Sequence, residues 1–184
     1  MLEGALRLIH VTRAHYLVSL LLGAVFGIAA ALFSSGQMLM LLPFVGFTNL
    51  QPGVFLIFVV VILSPFAEEL AKILPPLFLK TQENLEINVV EWMQLSVTSA
   101  FGFSLLENLS YFWLFVNAFG THSAVWLLLL RFLLSTPMHL MATTIASYGV
   151  GNWDNYDEGE YFVFLAIAMI VHGLFNLGTI MLGF

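Results

Sequence analysis

Apolar runs long enough to cross a bilayer are interrupted near their centres by four polar clusters: Glu68, Glu69 and Lys72; Glu107 with Asn108; Arg131 and His139; His172 with Asn176. This pattern constrains the fold more than any other property of the chain. A charged side chain at the bilayer centre costs roughly 2.5–3.5 kcal/mol, so five such groups left unpaired would cost on the order of 12–17 kcal/mol. An ordinary domain has about 5–15 kcal/mol of stability in total. The groups must therefore meet and compensate one another, and buried sets of this kind usually perform chemistry or transport.

Composition places the chain in the membrane class. Of 184 residues, 60% are hydrophobic and 9% charged, with a mean hydropathy of +0.98, whereas a soluble domain carries about 25% charged residues. No hydrophilic block is long enough for a separate soluble domain, so residues 1–184 read as one integral-membrane domain. The chain has no cysteine, which excludes disulfides, a thiolate nucleophile and a cysteine-ligated metal. A net charge of −6, concentrated in the stretches Glu83 to Glu91 and Asp154 to Glu160, argues against nucleic-acid binding and against a polybasic lipid-binding surface.

The hydrophobic pattern predicts an all-α, polytopic transmembrane helical bundle around a polar intramembrane cavity. Five spanning helices are expected, over about Tyr16 to Phe33, Gly53 to Leu79, Val89 to Phe119, Ser123 to Tyr148 and Glu160 to Leu182. The first run follows Arg7 and Arg13 as a signal peptide would, but its length exceeds a normal h-region of about 7–15 residues, so an uncleaved span is expected. Gly23 and Gly27 give it a GxxxG face for close helix contact. Met38 to Phe47 contains Pro43 and is too short to span, which predicts a re-entrant or interfacial piece; a sixth span is the alternative. Pro65 should bend the second helix just before the acidic pair, and Pro75-Pro76 with Lys80 should end it. The distribution of Arg7, Arg13 and Lys80 places the N-terminus in the cytoplasm of a cell-membrane protein. Trp92, Trp153, Tyr156 and Tyr161 are expected at the inner interface and Trp126 near the outer one. His10, His15 and His122 fall near helix ends, where solvation is role enough.

Helical rise places the polar groups at one depth. Glu68 lies roughly 18 Å from Lys80, Glu107 about 22 Å from Trp92, His139 about 14 Å from Tyr148 and His172 about 16 Å from Tyr161. All four reach the middle third of a core about 30 Å thick. Within a helix, Glu68 and Glu69 share a face with Lys72, as His172 does with Asn176. Arg131, Ser135, His139, Thr143 and Ser147 recur every fourth residue. Thr143 and Ser147 are expected to bond their own backbone.

Glu68-Glu69-x-x-Lys72, Phe103-x-x-x-Glu107 with Asn108 and Tyr111, Arg131 leading to Pro137-x-His139, and His172-Gly-Leu-Phe-Asn176 together resemble the PrsW family of glutamic-type intramembrane proteases, relatives of the CAAX prenyl endopeptidases and of the APH-1 subunit of γ-secretase. The CAAX enzymes carry FxxxH and EExxxR where this chain has Glu107 and Lys72, which points away from prenylated substrates. The resemblance implies that Glu68 is the general base for an attacking water, that Glu107 shares this water, and that His172 and Asn176 donate to the oxyanion. It also implies single-pass membrane regulators as substrates. Glu69 is read as structural, paired with Lys72 or Arg131, and His139 as a partner of a site carboxylate or of the substrate.

Other readings remain open at this level. Glu68, Glu107, His139 and His172 have the ligand types of a catalytic Zn2+ site, although the H-E-x-x-H signature is absent. Buried carboxylates, histidines and arginine also build proton relays, so an ion or proton transporter is one alternative. A non-catalytic scaffold like APH-1 is another.

Overall fold

A computed structural model describes residues 9–29, 52–156 and 160–182. Five helices dominate them: α1 (Arg13–Ala29), α2 (Gly53–Glu83), α3 (Val89–Phe119), α4 (Thr121–Tyr156) and α5 (Tyr161–Leu182). The last four are long and apolar enough to cross a membrane, in keeping with the expected all-α polytopic bundle. Met38 to Phe47, on which a sixth span depends, lies outside the described residues, as does the end of the expected Tyr16 to Phe33 run.

α4 packs along both α3 and α5, and α2 touches all three. These four helices enclose the polar groups. α1 lies against α3 through small residues: a Cβ on Gly23 would collide with the Ser99 carbonyl, and one on Gly102 with the Leu20 carbonyl. Gly27 sits over Phe103, so the GxxxG face does make a close contact, with α3 as its partner. Ser19 Oγ donates to the Leu95 carbonyl (2.8 Å) and Tyr16 to Gln94 Oε1 (2.7 Å) across the same seam.

α2 differs from expectation at its C-terminal end. It continues through Pro75-Pro76 for about two further turns and ends at Glu83, where Asn84 takes a left-handed conformation (φ 51°, ψ 47°). The prolines remove two backbone donors, yet the turns beyond them are held from outside. Lys80 pairs with Asp154 of α4, Leu79 is buried, and Glu83 bonds His15 Nε2 at 3.0 Å. His15 is therefore a buried connector between α1 and α2, with Nδ1 accepting from the Thr12 amide.

Strand β1 (Ile9–His10) pairs in parallel with β2 (Leu85–Glu86), Ile9 opposite Leu85 and His10 opposite Glu86. α3 then starts at a capping box, Asn88 Oδ1 accepting from the Glu91 amide while Glu91 Oε2 accepts from the Asn88 amide. Trp92 is buried with its indole N–H on Asp154 Oδ2 at 2.9 Å, Asp154 also pairing with the Lys80 ammonium. Trp126, Trp153 and Tyr156 are exposed.

Candidate functional site

Two helices change pitch as they enter the site. α2 is π-helical over Val59–Leu63, and the turn ends at Ser64-Pro65. α4 is π-helical over Arg131–Ser135, ending at Thr136-Pro137. Proline supplies no N–H and clashes with the carbonyl four residues earlier, so the preceding turn widens. Pro65 thus stands three residues before Glu68, and Pro137 two before His139. The bend expected at Pro65 is this wider turn, and it re-aims the residues that follow.

Glu69 is the most completely satisfied of the buried groups. Its Oε1 accepts from Lys72 Nζ (2.7 Å) and from His172 Nδ1 (2.8 Å), and its Oε2 accepts from the Thr143 hydroxyl (2.8 Å). Lys72 also donates to His139 Nδ1 at 2.7 Å and stands 3.8 Å from Glu68 Oε2. An ammonium only donates, so the proton of neutral His139 lies on Nε2, which faces Glu107 Oε2 at 2.9 Å. The same oxygen accepts from Arg131 Nη2 at 2.8 Å.

Arg131 is fixed twice more. Its Nε donates to Asn108 Oδ1 (2.8 Å), whose Nδ2 donates to Thr136 Oγ1 (3.0 Å), and its guanidinium lies 3.8 Å from the centre of the Tyr111 ring. Lys72 likewise sits 4.5 Å from the Phe103 ring centre. With both histidines neutral, three carboxylates (Glu68, Glu69, Glu107) meet two cations (Lys72, Arg131). One negative charge is left over.

Glu68 is the carboxylate without a dedicated partner. Its Oε2 is buried and accepts no hydrogen bond from the described residues, yet it stands 3.5 Å from His172 Nε2 and 4.0 Å from His139 Nδ1. His172 donates to Glu69 through Nδ1, which leaves the lone pair on Nε2 when the ring is neutral. Two acceptors facing each other at 3.5 Å call for a proton-bearing or cationic species between or beside them. A cavity of about 210 Å³ opens here, lined among others by Ser64, Glu68, Glu107, Tyr111, His139 and Asn176. A second, of about 290 Å³, shares Ser64, Glu68, Glu107 and Tyr111 and is completed by α1 and α3. Glu68 and Glu107 thus form a wall between two apolar-lined cavities.

The four polar clusters singled out in the sequence converge here: Glu69 pairs with Lys72 and His139 with the Glu107 carboxylate as expected, while other partners differ. Arg131 pairs with Glu107 and not with Glu69. Asn176 lines the first cavity, with its Nδ2 donating to the Val60 carbonyl at 2.9 Å. Thr143, expected to bond its own helix, reaches Glu69 instead, because the carboxylate lies one helix away at the same depth; Ser147 does bond its backbone, at Thr144. The place of Thr143 in the stripe of every fourth residue was the available signal. Asn108 was visible beside Glu107 in the polar cluster, but not as the partner of Arg131.

Glu68, His139 and His172 each present a ligand-type atom, all within 4.8 Å of one another. The unpartnered Glu68 Oε2 and the His172 Nε2 lone pair suit a cation, while the His139 Nδ1 lone pair is engaged by Lys72. In ligand type the set fits a His-His-Glu metal centre. No curated protein and no solved structure matches the chain. The family model described as "PrsW family intramembrane metalloprotease" matches residues 11–183. With four apolar helices converging on this buried site, the chain is a membrane protein belonging to the PrsW family of intramembrane proteases.

Proposed function

We propose that the chain is an intramembrane endopeptidase that hydrolyses a peptide bond of a membrane protein with a water activated by Glu68. One observation carries this reading: a buried, unpartnered carboxylate oxygen beside a histidine lone pair, on the wall common to two cavities. A water there donates one hydrogen to Glu68 Oε2 and the other towards His172 Nε2. Glu68 takes a proton as the oxygen attacks the scissile carbonyl, and returns it to the leaving amine as the peptide C–N bond breaks. Uptake of one proton from cavity water would give His172 Nε2 an N–H for the oxyanion while Nδ1 still donates to Glu69, and in that state Glu68 alone holds the attacking water.

Glu107 holds His139 by Nε2 and neutralises Arg131, and Glu69 with Lys72 fixes the opposite sides of both rings. These groups position and balance charge. The substrate is a single-pass membrane protein whose backbone lies extended across the Glu68–Glu107 wall, with its flanking side chains in the two cavities. The N-terminus is cytoplasmic, which the accessibility of an N-terminal tag in sealed spheroplasts tests.

A metal-assisted form of the same hydrolysis is suggested by the ligand types of Glu68, His139 and His172, with His139 having to release Lys72 before it could ligate. A divalent ion of the zinc class held by these residues would supply Lewis-acid polarisation and a more acidic water. The deciding experiment combines metal analysis of the detergent-purified protein with cleavage of a membrane-anchored substrate. Glu68→Gln is expected to lower cleavage by about 10²–10⁴-fold, the usual worth of general acid–base catalysis. Normal cleavage by Glu68→Gln would exclude the assignment, and ion flux in liposomes without proteolysis would support a transporter.

A further inference from the structure

Pro65 has no N–H, and one carbonyl in the turn before it therefore lacks its helical donor. In the π-helical turn each amide reaches five residues back, as the Ser64 amide does to the Val59 carbonyl. The next amide in that series would belong to position 65, and its acceptor would be the carbonyl of Val60. Asn176 Nδ2 of α5 donates to that carbonyl at 2.9 Å. An α-helical amide at position 65 would have used the Val61 carbonyl. Gly173 packs so closely on Val61 that a Cβ there would collide with this oxygen. Gly173 and Asn176 share one face of α5 at i and i+3. Together with His172 on Glu69, they grip α2 at three points around its break.

We propose that Asn176 is a positioning residue: its amide replaces the hydrogen bond that Pro65 cannot make, and so sets the turn from which Glu68 and Glu69 project. Gly173 supplies the close approach that brings the amide within reach. A half-buried carbonyl at membrane depth has little water to turn to, so the donor must come from protein. The pairing itself stands on backbone geometry; its consequence for cleavage rests on the peptidase reading.

The test is a four-protein cycle of wild type, Asn176→Leu, Pro65→Ala and the double variant. Each is measured in detergent for thermal unfolding and for kcat and KM on a single-pass membrane substrate. Asn176→Leu is expected to lower the melting temperature and to reduce kcat by about tenfold with KM little changed. In the double variant the backbone amide restored by Pro65→Ala can take the vacant carbonyl, so both quantities return to the level of Pro65→Ala alone. A double variant as impaired as Asn176→Leu in both readouts overturns the pairing. Recovery of the melting temperature without recovery of kcat overturns the positioning role, because Asn176 would then serve the substrate directly. If the wild type cleaves no membrane substrate, the peptidase reading falls, while the melting temperatures still decide whether Pro65 and Asn176 are coupled.

Discussion

Lys72 illustrates how a single residue keeps this interior tolerable. Its ammonium is fully buried and serves Glu69, His139 and, at longer range, Glu68. Removing one partner of a buried ion pair leaves an uncompensated charge, which costs about 3–5 kcal/mol. Lys72→Met is therefore expected to lose that much stability in detergent unfolding, and a Lys72→Met/Glu69→Gln double variant to recover part of it; an unimpaired single variant would show that the pair carries no such role. Thr143 is a milder case. Its hydroxyl completes Glu69, so Thr143→Val should cost roughly 1–3 kcal/mol, the penalty for an acceptor left short of a donor. It should also reduce cleavage, because Glu69 orients His172. Glu69 and its partners were legible as residue types at one depth. The choice of Glu107 over Glu69 as the partner of Arg131 was not legible, since helical spacing states which residues share a face and leaves open which neighbouring face they meet.

Among the elements, α1 and α5 each press a glycine against a neighbouring backbone, Gly23 on Ser99 and Gly173 on Val61. α1 rests on α3 through glycines at backbone distance, the small-residue packing that substitutes in lipid for a hydrophobic driving force. Gly23→Leu is expected to separate the two helices and lower the melting temperature by several degrees, whereas Gly178→Ala should be neutral to slightly stabilising, by up to about 1 kcal/mol, because nothing lies near a Cβ there. Equal melting temperatures for the two variants would contradict this account of the seam. The Gly23 and Gly27 spacing announced a close contact without naming its partner. Proline was only half informative. Pro65 foretold irregularity before Glu68, and a π turn is the form it takes; Pro137, read only as part of a motif, follows a second such turn before His139. Pro75-Pro76 suggested a helix end, and contacts of Lys80 and Glu83 with distant residues carry the helix past it.

At the scale of the whole molecule, two cavities share Ser64, Glu68, Glu107 and Tyr111 in their walls. The smaller, at about 210 Å³, exceeds the roughly 150 Å³ engineered hole that holds benzene, so it can take a large apolar side chain beside the scissile bond. Leu134 lines it, and Leu134→Trp should cut cleavage of substrates with Phe or Leu at that position by about tenfold while sparing those with Ala. Equal losses for both substrates would argue that this cavity does not receive a substrate side chain.

The sequence by itself determined the membrane class, the helical architecture and the depth at which the polar groups lie, because each follows from local length, periodicity and hydropathy. It also held the motif order by which the chain belongs to its family. Only the tertiary structure decided which charge compensates which, that Glu68 alone among the described carboxylates keeps a fully buried oxygen without a hydrogen bond, and that Asn176 reaches the carbonyl left vacant by Pro65. Those outcomes depend on how helices rotate and cross, and rotation is set by contacts among residues far apart in the chain.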